Sequence, residues 1–242
     1  VVDLGASSFE KLAIVATQTK PGTVGRNMGV EGIVARLGLD GPFASPRIAG
    51  SLDARRMHLG ATVLEGLAVS GKASRGKDHW KVSAAGQVRG VSGVNPSIEP
   101  LLANLRVEGD FAYAGSRLLS DNVKLRSDRI DATAVLVADL GKARYSAGLQ
   151  GRIDNYRVES VGIFDLRSNL DLKSDAPGYF RLAGRVTARS TRLLSDGWHD
   201  FLGGDALAVA DVGYDSNGIA SIDRITIAAP DFRLTEGRGQ YM

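Results

Sequence analysis

At 242 residues the chain is long enough for one large all-β unit or two ordinary domains with a sizeable core. Hydrophobic residues reach 43% but aromatics only 6%, so Ala, Val and Leu carry the apolar content and a thin core is expected. The 30 basic and 27 acidic side chains leave a formal charge of +3, too mild and too interspersed an excess for a nucleic-acid surface. The absence of cysteine excludes disulfides, thiolate nucleophiles and Cys-ligated metals while leaving the compartment open.

No apolar run approaches the roughly 18 residues that a membrane helix needs. The chain opens at Val1-Val2, already inside a folded pattern and without a signal peptide, as expected of an internal piece of a longer protein. With 30 glycines and only 7 prolines, turns and bulges are expected rather than disorder.

In chain order, 9–17 is ambiguous between strand and short helix and is ended by Pro21-Gly22. Val30 to Leu39 reads as a strand, and Asp40-Gly41-Pro42 with Ser45-Pro46 makes a rigid connection. Strands follow over 47–55 and 62–70, where a shift of phase near Gly66 predicts a bulge. Another covers 81–89. The stretch 95–105 looks like a short helical turn limited by Pro100.

Further strands are expected over 106–114, 122–126, 130–138 and 145–155. The clearest is Phe164 to Lys173, where Phe164, Leu166, Ser168, Leu170 and Leu172 alternate with Asp165, Arg167, Asn169, Asp171 and Lys173. A period of two puts the oily residues on one side of a pleated ribbon and the charges on the other. After Pro177-Gly178 come a strand over 179–188 and a second helix candidate over 191–202. The strands 206–215 and 219–228 are joined by Asp215-Ser216-Asn217-Gly218, the strongest hairpin turn in the chain, and a last strand surrounds Phe232 and Leu234.

A loose element, apolar-x-Gly-x-apolar, recurs around Gly32, Gly50, Gly109, Gly151 and Gly184 at uneven spacing, unlike a strict solenoid. Its glycines are expected as bend points on the outer face, where a missing side chain lets the sheet coil.

Motifs for chemistry are weak. Gly66 to Ala73 satisfies Gly-x-x-x-x-Gly-Lys, but Ala73 stands where a hydroxyl should hold magnesium, and strand-like flanks replace the required strand and helix. His58, His79 and His199 have no nucleophile at a recognisable spacing. Asp196-x-x-His199-Asp200 reads as a surface turn anchored by Trp198 and Phe201 rather than a metal site. Asn95-Pro96-Ser97 is excluded from glycosylation by its proline. The reading is a non-enzyme with no cofactor and no metal.

Four phrases, in order, carry a resemblance: Leu39-Asp40-Gly41-Pro42-Phe43-Ala44-Ser45-Pro46-Arg47-Ile48-Ala49-Gly50; Leu64-Glu65-Gly66-Leu67-Ala68-Val69-Ser70-Gly71; Leu119-Ser120-Asp121-Asn122-Val123-Lys124-Leu125-Arg126-Ser127-Asp128; and Leu202-Gly203-Gly204-Asp205 with 225–234. Together they resemble the TamB family of bacterial translocation and assembly modules, within the wider AsmA-like group, and the similarity covers most of the chain. The resemblance implies a periplasmic location in an inner-membrane-anchored protein. It also implies movement of phospholipid between the membranes or assembly of outer-membrane and secreted proteins, with an outer-membrane barrel partner met through parts not in this chain.

The expected fold is thus all-β: an elongated, strongly coiled, antiparallel-type sheet forming an open, taco-like groove with an apolar concave face and one or two short helices. It forms one continuous segment over 1–242. About 14 to 18 strands at ~4.8 Å would extend it by roughly 70 to 85 Å. The groove is expected to be lined in its first half by Leu52, Leu67, Val69, Val88, Phe111 and Leu125, and in its second by Leu166, Leu170, Val186, Ile225 and Ile227. Phospholipid is the expected ligand, with no nucleic acid. The rival expectation is a scaffold offering a strand edge to nascent outer-membrane barrels.

Overall fold

The computed structural model of the chain describes residues 2–3, 5, 7–24, 28–94, 99–176 and 179–241. The fold is all-β, and the chain divides into two compact units, Val1–Asp128 and Arg129–Met242.

The first unit holds β1 (Val2–Asp3), β2 (Ser8–Thr17), β3 (Gly22–Val24), β4 (Met28–Glu31), β5 (Val34–Pro42), β6 (Arg47–Leu59) and β7 (Thr62–Arg75). It continues with β8 (Trp80–Val88), β9 (Gly90–Ser92), β10 (Leu105–Ala114) and β11 (Arg117–Arg126). Pairing is antiparallel in the order β1-β2-β5-β6-β7-β8-β10-β11. β4 continues the line of β5 along β6, β9 that of β8 along β7, and β3 pairs with β4. A 3-10 turn, Glu99–Leu102, precedes β10.

The second unit is a plain meander of β12 (Ile130–Asp139), β13 (Arg144–Val158), β14 (Gly162–Ala176), β15 (Tyr179–Leu193), β16 (Leu207–Asp215), β17 (Ala220–Ala228) and β18 (Arg233–Tyr241). Among the described residues the first and last strands of each unit do not pair with one another, so neither sheet closes into a barrel.

The phase shift at Gly66 is present, but it is not a bulge of one strand. Gly66 has φ +62, Gly32 at the β4–β5 junction +65, and Asn104 just before β10 +55. On four neighbouring strands the apolar spacing changes there from two to three: Val30 to Ile33, Ala54 to Met57, Leu64 to Leu67, and Val88 to Val91. The pairing stays in register through the shift, since Ala54 faces Leu67 and Arg56 faces Glu65 on either side of it. A left-handed residue on one strand is thus matched by an extra residue on the next, and the irregularity crosses the unit as a crease. Only glycine enters that region without steric cost, and Asn is the next most tolerant. At the crease edge Gln18 stands in for a strand: its side chain donates to Val30 O at 3.0 Å and accepts from Ile33 N at 3.2 Å.

Several local expectations are corrected. Residues 9–17 are strand, because β5 supplies a partner that the local pattern cannot reveal. The second helix is α1 (Asp196–Leu202), since Thr191 to Leu193 complete β15 opposite β14, and Gly203 at φ +72 ends it with its N–H donating to His199 O. The first helical expectation reduces to Glu99–Leu102; its residues 95–98, including Asn95-Pro96-Ser97, lie outside the described residues, as do Val1 and Pro177-Gly178.

The recurring glycines are not on an outer polar face. Gly50, Gly109, Gly151 and Gly184 occupy the apolar face, where a Cβ on Gly109 would meet Phe111 and Val123, and one on Gly151 would meet Ala132 at 2.7 Å. A residue two positions from an apolar neighbour shares its face, and close packing there is what requires glycine.

The core is as thin as the composition implies. Side chains buried almost completely are mostly small, among them Ala54, Ala134, Ala138, Ala147 and Ala206 with Val30, Val88, Val123, Leu101 and Leu202. The accessible surface is 15550 Å², against roughly 10,000 Å² expected for a compact chain of this mass. Leu101 and Leu202 sit on the two short helical segments, the only non-strand elements among the described residues that contribute to the core.

Candidate functional site

Register fixes which side chains share a face. In the first unit one cross-strand row runs Ala16, Ala35, Leu52, Val69, Gly86, Val107, Leu125. Beside it lies Ile14, Leu37, Gly50, Gly71, Ala84, Gly109, and beyond that Leu39, Ile48, Ala73, Val82, Phe111. Leu67 and Val88 fall in the row of Ala54, next to the crease. All six residues expected to line the first half of the groove therefore lie on one face.

The second unit repeats the arrangement. Ile153, Leu166, Ala188, Ala208 and Ile227 form one row; Ser168, Val186, Ala210 and Ile225 the next; Leu149, Leu170, Gly184 and Val212 the third. All five residues expected there share its apolar face. The sequence pattern does not single out Ile14, whose strand is ambiguous on its own, nor Leu37, Val107, Leu149 and Ile153, although these four obey the same alternation.

Among the described residues no second layer covers the apolar face within either unit. Val69 is 39% exposed, Leu37 39% and Ile14 48%, values far from those of a packed core. In the first unit the row of small residues between the Leu52 and Ile48 rows opens an apolar furrow of about 400 Å³, lined by Ile14, Leu37, Leu52, Val69, Gly71 and Ala84. Small-molecule sites span roughly 300 to 1,000 Å³. A larger, shallow depression of about 840 Å³ includes much of the opposite, polar face, where Ser70, Lys72, Ser83, Glu108, Asp110, Asn122 and Lys124 line it. Most of its charged side chains are partnered, Lys124 by Glu108 and Asp110 by Ser83 and Asn122, so the smaller apolar furrow is the better candidate.

The polar faces are laced by cross-strand pairs. Arg36 meets Asp53 at 3.0 Å, Lys124 meets Glu108 at 3.5 Å, and Asp211 accepts from Arg185 at 2.8 Å and from Arg224 at 3.1 Å. The bond from Arg185 is the main reason the Asp211 carboxyl sits below the usual carboxylate range, with Arg224 adding to it. Hydrogen bonds from Ser83 and then Asn122 depress Asp110, and one from Arg47 depresses Asp40. These shifts stabilise charge on a solvated face; they do not prepare an acid or base for chemistry.

The weak motifs are placed accordingly. Gly66 to Ala73 lies wholly within β7, with no helix after it to present backbone N–H groups to a phosphate. His58 is in β6, His79 in the β7–β8 turn and His199 on α1, in separate places. Among the described residues there is no group of three or more His, Asp or Glu able to hold a metal, and no helix long and apolar enough to cross a membrane. No family model matches the chain, and neither a curated protein nor a solved structure is found to be similar to it.

Proposed function

We propose that the chain binds lipid acyl chains on its apolar sheet faces, as a segment of a periplasmic conduit that carries phospholipid between membranes, the role implied by the TamB-like phrases. The observation that carries this reading is the combination of continuous apolar rows with the lack, among the described residues, of any second layer over them within either unit. Each methylene moved from water onto such a face contributes about 0.8 kcal/mol, so a long acyl chain gains substantially without a specific polar contact. Contacts that are similar from row to row also suit a ligand that must slide.

The test is lipid extraction and mass spectrometry on the purified protein, comparing wild type with Leu166→Arg at equal folded content. Co-purifying phospholipid in wild type, reduced severalfold or more by the substitution, is the expected result. Leu166 is only half-buried, so its replacement should leave the strand paired. Lipid retained equally by both proteins, or absent from both, ends the acyl-chain reading. A second reading, the scaffold for outer-membrane barrels, is favoured by the outer edge of β18, which has no strand partner among the described residues. A lipid-free protein that captures a strand-forming peptide along that edge would be its signature.

A further inference from the structure

One margin of the apolar face in the first unit differs from the rest. Past the row Ala73, Val82, Phe111 the next cross-strand row is Arg75, Trp80, Tyr113: Arg75 pairs with Trp80, and Trp80 with Tyr113. Alternation puts them on the face of Val82 and Phe111, about 7 Å further along the strands. The row closes the β7–β8 and β10–β11 hairpins; Lys77 lies in the β7–β8 turn, while Lys81, paired with Ser74 and Ala112, and Arg117, paired with Ala114, alternate onto the opposite, polar face. Arg75, Lys77, Lys81 and Arg117 are all exposed, and among the described residues none of them is in an ion pair; Asp78 is the one carboxylate in the same turn.

An apolar face bounded by a half-buried Trp and Tyr and then by unpaired cations follows the order in which a phospholipid changes along its length. Acyl carbons come first, then the ester and carbonyl zone that suits amphipathic aromatics, then the phosphate. Cations outside any ion pair among the described residues also occur elsewhere in this unit, Lys72 and Arg106 among them, but those two alternate onto the polar face, whereas Arg75 stands on the apolar one.

We propose that the Arg75–Trp80–Tyr113 row with Lys77 binds the phosphate of anionic phospholipids at a bilayer surface, seating headgroups at this end of the strands. The inference rests on the acyl-chain reading for the direction in which the lipid lies, and adds its polarity. Arg75 is the residue that continues the apolar face directly, and its guanidinium is suited to a bidentate phosphate contact.

The experiment is flotation of the purified protein with phosphatidylcholine vesicles, with and without phosphatidylglycerol, for wild type, the double variant Arg75→Glu/Lys77→Glu, and the single variant Trp80→Ala. Lys81→Glu/Arg117→Glu, at the same strand ends but on the opposite face, is the control of equal net charge. Wild type and control should float only with phosphatidylglycerol, weakening with salt, while the double variant loses about a hundredfold in binding and Trp80→Ala severalfold.

Equal loss in the control, equal binding to phosphatidylcholine alone, or no flotation of wild type overturns the proposal. So does binding to polyglutamate as tight as to vesicles and indifferent to Trp80→Ala, which would assign the margin to an acidic protein. Uptake of an uncharged, fluorescent long-chain hydrocarbon by the same proteins is read separately. If wild type takes up the probe but its flotation does not depend on the margin, this inference fails and the acyl-chain reading stands. Margin-dependent flotation without uptake has the opposite meaning: the headgroup site stands and the acyl-chain reading fails.

Discussion

Asp211 is the best-connected charge on the polar face of the second unit, holding Arg185 and Arg224 from the strands on either side. Its folded-state pKa is depressed, so the stability it contributes is present above the unfolded value of about 3.9 and is lost as pH falls through the lower folded value. Asp211→Asn is therefore expected to lower the melting temperature modestly at pH 7. The wild-type and variant curves should converge in strong acid, because the wild-type carboxyl is then neutral too. A difference that persists unchanged in strong acid would show that packing, not charge, is responsible. The pair partners sit directly across the strands, Arg185 opposite Asp211 and Asp211 opposite Arg224, so the network is a product of register.

At the scale of elements the crease is the feature on which the first unit depends. Gly66 holds φ +62 and lies beneath the Arg89 guanidinium, so a side chain there is strained by its backbone and must displace the flexible end of Arg89. Gly66→Ala is expected to cost about 1 kcal/mol or more in urea unfolding, whereas Gly60→Ala, also at positive φ but in an open turn, should cost only the backbone part. Equal effects at the two positions would mean that the crease adds no constraint of its own. The crease is hinted at in the spacing Leu64 to Leu67. The same three-residue step at Val30, Ala54 and Val88 cannot be recognised as one feature without knowing that these strands are neighbours. The hairpin at Asp215 to Gly218 is fully legible: Gly218 has φ +82, and the Asp215 side chain accepts from Asn217 N at 2.8 Å.

For the whole molecule the consequence is thermodynamic. A chain that keeps so much surface in its folded state exposes less on unfolding than a compact chain of the same length, and the urea m-value follows that difference. The m-value per residue should fall clearly below that of compact proteins of similar size, and a dye that reports exposed apolar surface should bind the folded protein. A normal m-value with no dye binding would mean that the apolar faces are covered in solution. Lipid that fills them should raise the melting temperature by mass action, since it binds the folded state alone.

The sequence by itself determined that Leu166 and Leu170 share one face while Arg167 and Asp171 share the other, because the period of two is a local property of an extended chain. It likewise determined the scarcity of large core residues, the Asn-Gly turn and the absence of cysteine. Only the tertiary structure decided that Leu52, Val69 and Leu125 stand in one row, that the glycines of the loose repeat belong to that same face, and that Arg75, Trp80 and Tyr113 border it. Those relations depend on which strand pairs with which and at what offset. Hydrogen bonds between distant segments set that offset, and no single segment contains the information.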